Sequence, residues 1–407
     1  MTSPVARDHS WQPPGLTLQG WVTAGGGLVW SVIAGMTGQR DLIWPGLFLV
    51  ALPLASWLLL AVGQRRPQVE RVVTPGEVTA GEQITSRIEV DPAGLPLSGA
   101  VHYSDTHPEA VRGPTQASLP PGVGRHRIEH RLTVVRRGRH RLGPLRHSVT
   151  DALGLARAQR VVPAVAEVLA LPRVHPLDPQ RAASGLGSAT ESTVLKTSLV
   201  GSDDVLVREY LPGDDVRRIH WRSTARTGEL MVRREEQAWD PSAVVLLDNR
   251  SRAFGRTEPD PRFEWLVSAA ASIAVHLIEH GFAVVVTDAR GVDPAQAQRV
   301  GARTVIRRLA DADLTTADSL EPAVATAPTG ARGQLLIALL GRLDAADGVT
   351  LAAALRDHQA CWALILDPAK IDPDAALLLQ TSGWRVLRVP AGTPVAGAWQ
   401  LLGEVSR

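Results

Sequence analysis

The sequence predicts a multidomain chain: an N-terminal helical hairpin that crosses a membrane, a β-sandwich-like segment, and a C-terminal doubly wound α/β domain. Three observations predict it. Two long uncharged apolar runs lie close to the N-terminus, a stretch of short alternating segments follows, and the remainder alternates continuous apolar strands with amphipathic helices. The boundaries that follow are 1–66 for a tail and two spans (about 18–37 and 42–62), 67–175 for the β-rich segment, 176–240 for a linker and a charged signature segment, and 241–407 for the α/β domain.

At 407 residues the chain is too long for one ordinary domain. Its 44% hydrophobic content fits a folded protein with some membrane-embedded sequence. A net charge of +2 offers no global electrostatic case for nucleic acid. The single cysteine, Cys361, excludes an intrachain disulfide and a Cys-rich zinc site.

No charged side chain stands between His9 and Arg40, and the apolar part, Leu18 to Met36, has about the length needed to cross a bilayer. Gly25, Gly26 and Gly27 keep its centre only moderately apolar. The second run, Leu42 to Val62, is stronger. Pro45 falls in its first turn and Pro53 in its middle, where a kink is expected. Trp21, Trp44 and Trp57 lie near the ends of the runs, where interfacial tryptophans sit. The loop Thr37 to Asp41 is too short for anything but a hairpin. Arg7 before the first run and Arg65, Arg66 and Arg71 after the second put both ends, and the soluble domains, in the cytoplasm. A cleaved signal peptide is the rival reading of the first run, against which stand its barely basic start and the second span that follows at once. The expected location is the cell membrane, with two spans.

From Gln68 to Arg173, Pro and Gly are frequent and apolar residues alternate with polar ones. Glu70–Val73, Ile84–Val90 and Ile128–Val135 read as half-buried strands, and Thr74-Pro-Gly-Glu and Thr79-Ala-Gly-Glu as turns. Between Arg125 and His147 eight arginines face only Glu129. That stretch is either a solvated strand face or, beside an anchor, a surface for anionic lipid headgroups. It lacks the interleaved aromatics that single-stranded nucleic acid would require.

The most distinctive run is Arg208-Glu209-Tyr210-Leu-Pro-Gly213-Asp214-Asp215-Val-Arg217-Arg218-Ile219-His220-Trp221-Arg222. Pro212 to Asp215 reads as a turn leading into a helix with Asp as its cap. Arg217, Arg218, His220, Arg222 and Arg226 crowd around Trp221 in sequence, and guanidinium groups suit both carboxylate pairing and stacking on indole. The run resembles the signature of the bacterial domain of unknown function 58 family, Arg-Glu-Tyr-x-x-Gly-Asp-Asp-x-Arg-x-Ile-x-Trp. The order of parts, anchor then β segment then signature then α/β domain, resembles that family as well. The resemblance implies a von Willebrand factor A-like C-terminal domain and an association with MoxR-type AAA+ ATPases, beside which such proteins are often encoded. It implies no reaction. The signature is either a partner-docking surface, comprising Arg208, Glu209, Tyr210, Gly213, Asp214, Asp215, Arg217, His220, Trp221 and Arg222, or an internal charge network clamping the segment to the next domain. A third reading, His220 with Asp214 as an acid–base pair, has neither nucleophile nor metal cluster beside it.

After Pro241, Ala243–Asp248, Gly281–Asp288, Leu335–Leu340, Cys361–Asp367 and Trp384–Val389 read as parallel strands. Helices are expected over Arg262–His280, Leu351–His358 and Pro394–Val405. The Ala-, Thr- and Pro-rich run Thr315–Gly333 reads as a surface loop. Ligands of such sheets bind at the carboxyl ends of the strands, where Asp248 stands. In von Willebrand factor A-like domains the corresponding Asp opens Asp-x-Ser-x-Ser, whose oxygens hold Mg²⁺. Here the text is Asp248-Asn249-Arg250-Ser251-Arg252. Both serine positions are arginine, Ser251 is out of step, and a second acidic ligand after a later strand is missing, since Leu340 is followed by Gly341. The position is read as a degenerate metal site, with Asp248, Asp288 and Asp367 as strand-end caps and the arginines set to hold an acidic group of a partner, or Asp248 itself. No glycine-rich nucleotide loop and no nucleophile elbow occurs.

The expectation is therefore a membrane-anchored, non-enzymatic interaction or scaffold protein without a cofactor or metal. It works with a MoxR-type ATPase in assembling or activating membrane or envelope components and binds neither nucleic acid nor nucleotide. The alternative is a Mg²⁺-dependent adhesion-type module using a modified site at Asp248.

Overall fold

The computed structural model of the chain describes residues 11–63, 68–91, 98–119, 125–178, 207–210, 219, 221–233, 242–254, 260–291, 301–326, 334–354, 360–366, 372–390 and 392–404. The chain divides into two compact units, Met1–Pro172 and Arg173–Arg407.

In the first unit, strand β1 (Trp11–Leu16) leads into helices α1 (Leu18–Met36) and α2 (Ile43–Gly63), joined through a single 3₁₀ turn at Arg40–Leu42. Thr17 caps α1, its hydroxyl accepting from the Gly20 amide at 3.1 Å. The helices approach at Gly27 and Gly46. A Cβ on Gly27 would meet the Gly46 carbonyl at 2.6 Å, and one on Gly46 would meet the Gly27 carbonyl at 2.7 Å. Glycine is needed there because the backbones leave no room for a side chain. α2 runs unbroken through Pro53. Large apolar side chains remain exposed around both helices, among them Trp21, Trp30, Met36, Trp44, Phe48 and Val62. Among the described residues one helical stretch, Arg40–Val62, is long and apolar enough to cross a membrane, where two were expected. α1 is the less apolar of the two, with Gln19, Thr23 and Ser31 along it and Gly25, Gly26 and Gly27 at its centre.

Eleven further strands build the β-rich part: β2 (Gln68–Thr74), β3 (Glu77–Thr79), β4 (Gln83–Asp91), β5 (Ser98–Asp105), β6 (Val111–Arg112), β7 (Gln116–Leu119), β8 (His126–Val134), β9 (Gly138–Leu142), β10 (Leu145–Asp151), β11 (Ala156–Val162) and β12 (Ala166–Leu171). They form sheets of order β1-β11-β10-β5-β7, β2-β4-β8-β6 and β3-β12-β9. Strict alternation of buried and exposed residues along β4 and β8 turns one face to the core. Arg71, counted above with the membrane-flanking charges, is buried and paired with Asp105, which also receives His107. It belongs to the core of the β-domain and faces no headgroup. The basic run from Arg125 is offset by its neighbours. Arg125 approaches Asp91, Arg127 approaches Glu89 and Glu129, and Arg139 bonds Glu167.

The helices are held to this β-domain by the β10–β11 turn. Asp151 accepts from the amides of Leu153 and Ala156 and from the Ser56 hydroxyl of α2, at 3.1, 2.7 and 3.0 Å. The Thr17 amide and hydroxyl donate to the carbonyls of Leu155 and Gly154.

The second unit holds a small antiparallel pair, β13 (Val207–Glu209) with β14 (Met231–Arg233), and α3 (Trp221–Thr227) between them in sequence. Its main sheet is parallel, of strands β15 (Ser242–Leu247), β16 (Ala283–Asp288), β17 (Gln334–Leu340), β18 (Ala360–Leu366) and β19 (Arg385–Val389), in the order β16-β15-β17-β18-β19. Helices α4 (Pro261–Glu279), α5 (Ala302–Ala310), α6 (Glu321–Ala325), α7 (Ala345–Ala353), α8 (Pro373–Thr381) and α9 (Val395–Glu404) accompany it. Alternate residues of each central strand enter opposite cores. Val245, Ile337 and Leu364 meet α4, α5 and α9, whereas Leu246, Ala338 and Ile365 meet α6, α7 and α8. Helices thus cover both faces, as the unbroken apolar strands require. The expected loop from Thr315 is partly built into the fold: Leu320 and Ala323 are buried in the second core, and α6 forms because they anchor it. Residues 327–333 lie outside the described residues. The helix expected at Leu351 begins earlier, at Ala345.

Candidate functional site

The sheet order places β15 between β16 and β17, so the chain turns to one side after β15 and to the other before β17. A crevice at the carboxyl ends is expected at that reversal. β15 is apolar from Ala243 to its end at Leu247, which delivers the polar residues Asp248, Asn249 and Arg250 to this point.

Arg250 fills the crevice. Its side chain is wholly shielded from water. Nε donates to Asp248 Oδ1 at 2.9 Å and Nη2 to Asp248 Oδ2 at 3.0 Å, a bidentate pair closed within two residues. Nη1 donates to Asp347 Oδ1 at 2.6 Å. The Gly341 amide adds a longer bond to Asp248 Oδ2, at 3.3 Å. Burial alone would lower the Arg250 pKa, but the hydrogen bonds and charges of Asp248 and Asp347 outweigh it and raise the pKa, so the guanidinium stays charged.

The acidic groups come from the start of α7. Asp344 and Asp347 form a reciprocal capping box, the Asp347 amide donating to Asp344 and the Asp344 amide to Asp347. Arg252 reaches both, with Nη2 2.9 Å from Asp347 Oδ1 and Nη1 on Asp344 Oδ2. The Arg252 hydrogen bond, then the Asp347 amide, hold the Asp344 carboxyl down at about 2. Asn249 ties the neighbouring strand end, donating to Asp288 Oδ2 and the Asp313 carbonyl, both at 3.0 Å, and accepting from the Ala289 amide at 3.1 Å. Ser251 is exposed, and its hydroxyl donates to the Thr315 carbonyl at 2.9 Å.

The expectations about this edge are therefore revised. Of the two acidic groups expected for the arginines, Arg250 takes Asp248 itself, occupying both of its oxygens as a cation would. The acidic group missing directly after β17 is present seven positions beyond Leu340, as Asp347 on the first turn of α7. Asp344 and Asp347 escaped sequence reasoning because the spacing Asp-x-x-Asp announces only a helix start. Asp288 accepts from Asn249 and so links strands; Asp367 lies outside the described residues. What the arrangement does chemically is neutralise and close the strand ends. Among the described residues of this edge, the Ser251 hydroxyl donates to a backbone carbonyl and not to a base.

Of the signature, Gly213, Asp214, Asp215, Arg217, Arg218 and His220 lie outside the described residues, as do the side chains of Arg208 and Glu209. The expected turn at Pro212–Asp215 is outside them too. Arg208 and Glu209 lie on β13, facing Val232 and Met231 of β14 in antiparallel register, and the Tyr210 amide donates to the Leu230 carbonyl at 2.8 Å. The Thr224 hydroxyl accepts from the Met231 amide, tying α3 to β14. Trp221 opens α3 with 68% of its surface exposed, followed by exposed Arg222. Leu230 is exposed as well.

Residues 206–349 match the family model described as Protein of unknown function DUF58. The match takes in the signature, β15 and the first turn of α7, and hence every residue of the Arg250 cluster. The comparison with curated proteins found no match. Among solved structures, the chain is similar to the Pseudomonas fluorescens alkylpurine DNA glycosylase AlkC bound to DNA containing an abasic site analog. Identity there is 16% over 37% of this chain and 43% of that one, with a TM-score of 0.18. The chain thus spans less than half of that glycosylase. A non-cellulosomal cohesin from Archaeoglobus fulgidus is 12% identical over 23% of this chain and 91% of its own, at a TM-score of 0.16. A conjugative transposon lipoprotein from Bacteroides eggerthii is 15% identical over 26% and 98%, at 0.16. TM-scores of this size carry no argument about fold or function.

Proposed function

We propose that this chain, whose residues 206–349 carry the DUF58 match, is a membrane-tethered, non-enzymatic interaction protein with a von Willebrand factor A-like second unit. The observation that carries the reading is Arg250. The strand-end crevice where α/β sheets take ligands is filled by the chain's own guanidinium. Recognition is left to surfaces outside it, and the exposed Trp221 of the signature is the foremost of these. The anchor is the pair α1 and α2 as two spans, supported by their broad exposed apolar surface. Arg65 and Arg66 after the second favour a cytoplasmic place for both units. The partner is a MoxR-type AAA+ ATPase, and the role is assembly or activation of membrane or envelope components.

The test is purification of the tagged full-length protein from native membranes, with Trp221→Ala and Arg222→Ala alongside. Recovery of the AAA+ ATPase with the parent, and its loss in folded variants, is the expected result. Recovery unchanged by both substitutions would reduce the signature to an internal clamp. A hydrolytic activity of the purified protein that Asp214→Ala removed would overturn the non-enzymatic reading.

A second reading makes Asp248 the seat of a Mg²⁺-dependent binding module. Arg250 weighs against it, because both Asp248 oxygens are already engaged by a fixed positive charge. A Mg²⁺-induced rise in the melting temperature of the unaltered protein would restore it.

A further inference from the structure

The segment Ser251–Ala253 gathers arginines from three adjacent strand ends. Arg252 itself points to Asp344 and Asp347, with 38% of its side chain exposed. Ser251 donates to the Thr315 carbonyl, and the Thr315 hydroxyl receives Arg290 Nε at 2.9 Å. Arg290, just after β16, is thereby placed on one side of the segment. The Ala253 carbonyl receives the Arg342 amide at 3.0 Å, which places Arg342, just after β17, on the other. Gly341 permits this approach, since a Cβ there would meet the Ala253 carbonyl at 2.9 Å. Arg290 and Arg342 are exposed, and among the described residues neither has an acidic partner. Arg250 is matched by Asp248 and Asp347, and Arg252 is shared between Asp347 and the half-exposed Asp344, so the rim charges left for a ligand are those of Arg290 and Arg342.

We propose that Arg252, Arg290 and Arg342 form a docking rim for an acidic segment of a protein partner. The inference rests on the reading of the chain as an interaction protein and names the chemistry of what it binds. Carboxylates of the partner pair with Arg290 and Arg342 directly, in the bidentate geometry that guanidinium favours. A further carboxylate takes Arg252 in exchange for the half-exposed Asp344, leaving Asp347 and Arg250 undisturbed. Phosphate is the poorer occupant. At the helix start at this edge, that of α7, the Asp344 and Asp347 amides are engaged by the capping box, and the two carboxylates beside them oppose a compact, multiply charged anion at that end.

The experiment measures the anisotropy of a fluorescein-labelled deca-glutamate peptide with the detergent-solubilised full-length protein. The variants are Arg290→Glu/Arg342→Glu, Arg290→Gln/Arg342→Gln and, as a matched reversal on the first unit, Arg131→Glu/Arg146→Glu. The expected result is salt-sensitive binding to the parent, at least tenfold weakening in both rim variants, and no comparable loss in the matched reversal. Unchanged melting temperatures check that the rim variants fold. Equal weakening by the matched reversal, or no binding to the parent at low salt, overturns the rim. So does inorganic tripolyphosphate displacing the peptide at concentrations below those of unlabelled peptide, which would make the site a phosphate site. None of these outcomes touches the Trp221 test of the interaction reading, so the two fail separately.

Discussion

Arg250 and Asp248 stand two residues apart and face each other fork to fork, Nε to Oδ1 at 2.9 Å and Nη2 to Oδ2 at 3.0 Å, with both side chains fully shielded from water. A third bond reaches Asp347, 97 positions along the chain. Removing one member of such a buried cluster leaves a charge without its counter-charge.

Arg250→Met is therefore expected to destabilise the second unit by ~3–5 kcal/mol, and Asp248→Asn/Arg250→Met by clearly less. Urea unfolding followed by circular dichroism checks this. A double variant as damaged as the sum of the single ones would show that the pair is not coupled.

Arg250→Ser empties the guanidinium site while keeping Asp248 and Asp347 as oxygen donors suited to a hard cation. Millimolar Mg²⁺ is expected to raise the melting temperature of this variant and to leave that of the parent unchanged. The same response in both proteins would mean that Arg250 does not stand in for a cation.

The β10–β11 turn makes its own prediction. Asp151→Ala removes an acceptor used by Leu153, Ala156 and Ser56. A loss of ~2–4 kcal/mol from the first unit is expected, since two amides and a hydroxyl lose their partner. Asp151→Asn keeps one acceptor oxygen and is expected to fall between. Limited proteolysis in detergent, with cleavage appearing near Leu153, distinguishes loosening of this turn from global unfolding.

Acid should weaken the β-domain through histidine. Burial, with a smaller contribution from the Arg160 charge, pushes the His147 imidazole down to about 4, and burial lowers His130 as well. A histidine whose folded pKa is depressed favours the folded state when neutral. Its contribution is complete above the unfolded value near 6.5 and is lost as pH falls from there toward 4. For His147 this is worth roughly 3 kcal/mol at its limit. Melting temperatures of the parent should fall across that window, and those of His147→Phe should fall less. Parallel curves would remove His147 as the cause.

What could be read from the chain was local periodicity. Ala243–Leu247, Leu335–Leu340 and Ala360–Leu366 are runs of apolar residues buried on both faces, and such runs name a parallel sheet wherever they occur. The alternation in β4 and β8 likewise declares one buried face. β1 was hidden because Pro13 and Pro14 break any strand pattern. It forms as an edge strand on β11, with a register shift between Gln12 and Gly15 that accommodates them.

Charge was not legible in the same way. The arginines from Arg125 onward read as a basic surface, yet strand register set Arg127 beside Glu89 and Arg139 beside Glu167. That an arginine here could hold Asp248 was legible from the two-residue spacing, but its other partner, Asp347, sits on a helix begun after another strand. Hydrophobic burial depends on the order of residues within a few turns or strand steps, so the sequence by itself determined the elements and their buried faces. A salt bridge depends on where two distant backbones arrive, within about 3 Å. Only the tertiary structure decided that Arg250, Asp248 and Asp347 meet out of water, while Arg290 and Arg342 are left facing it.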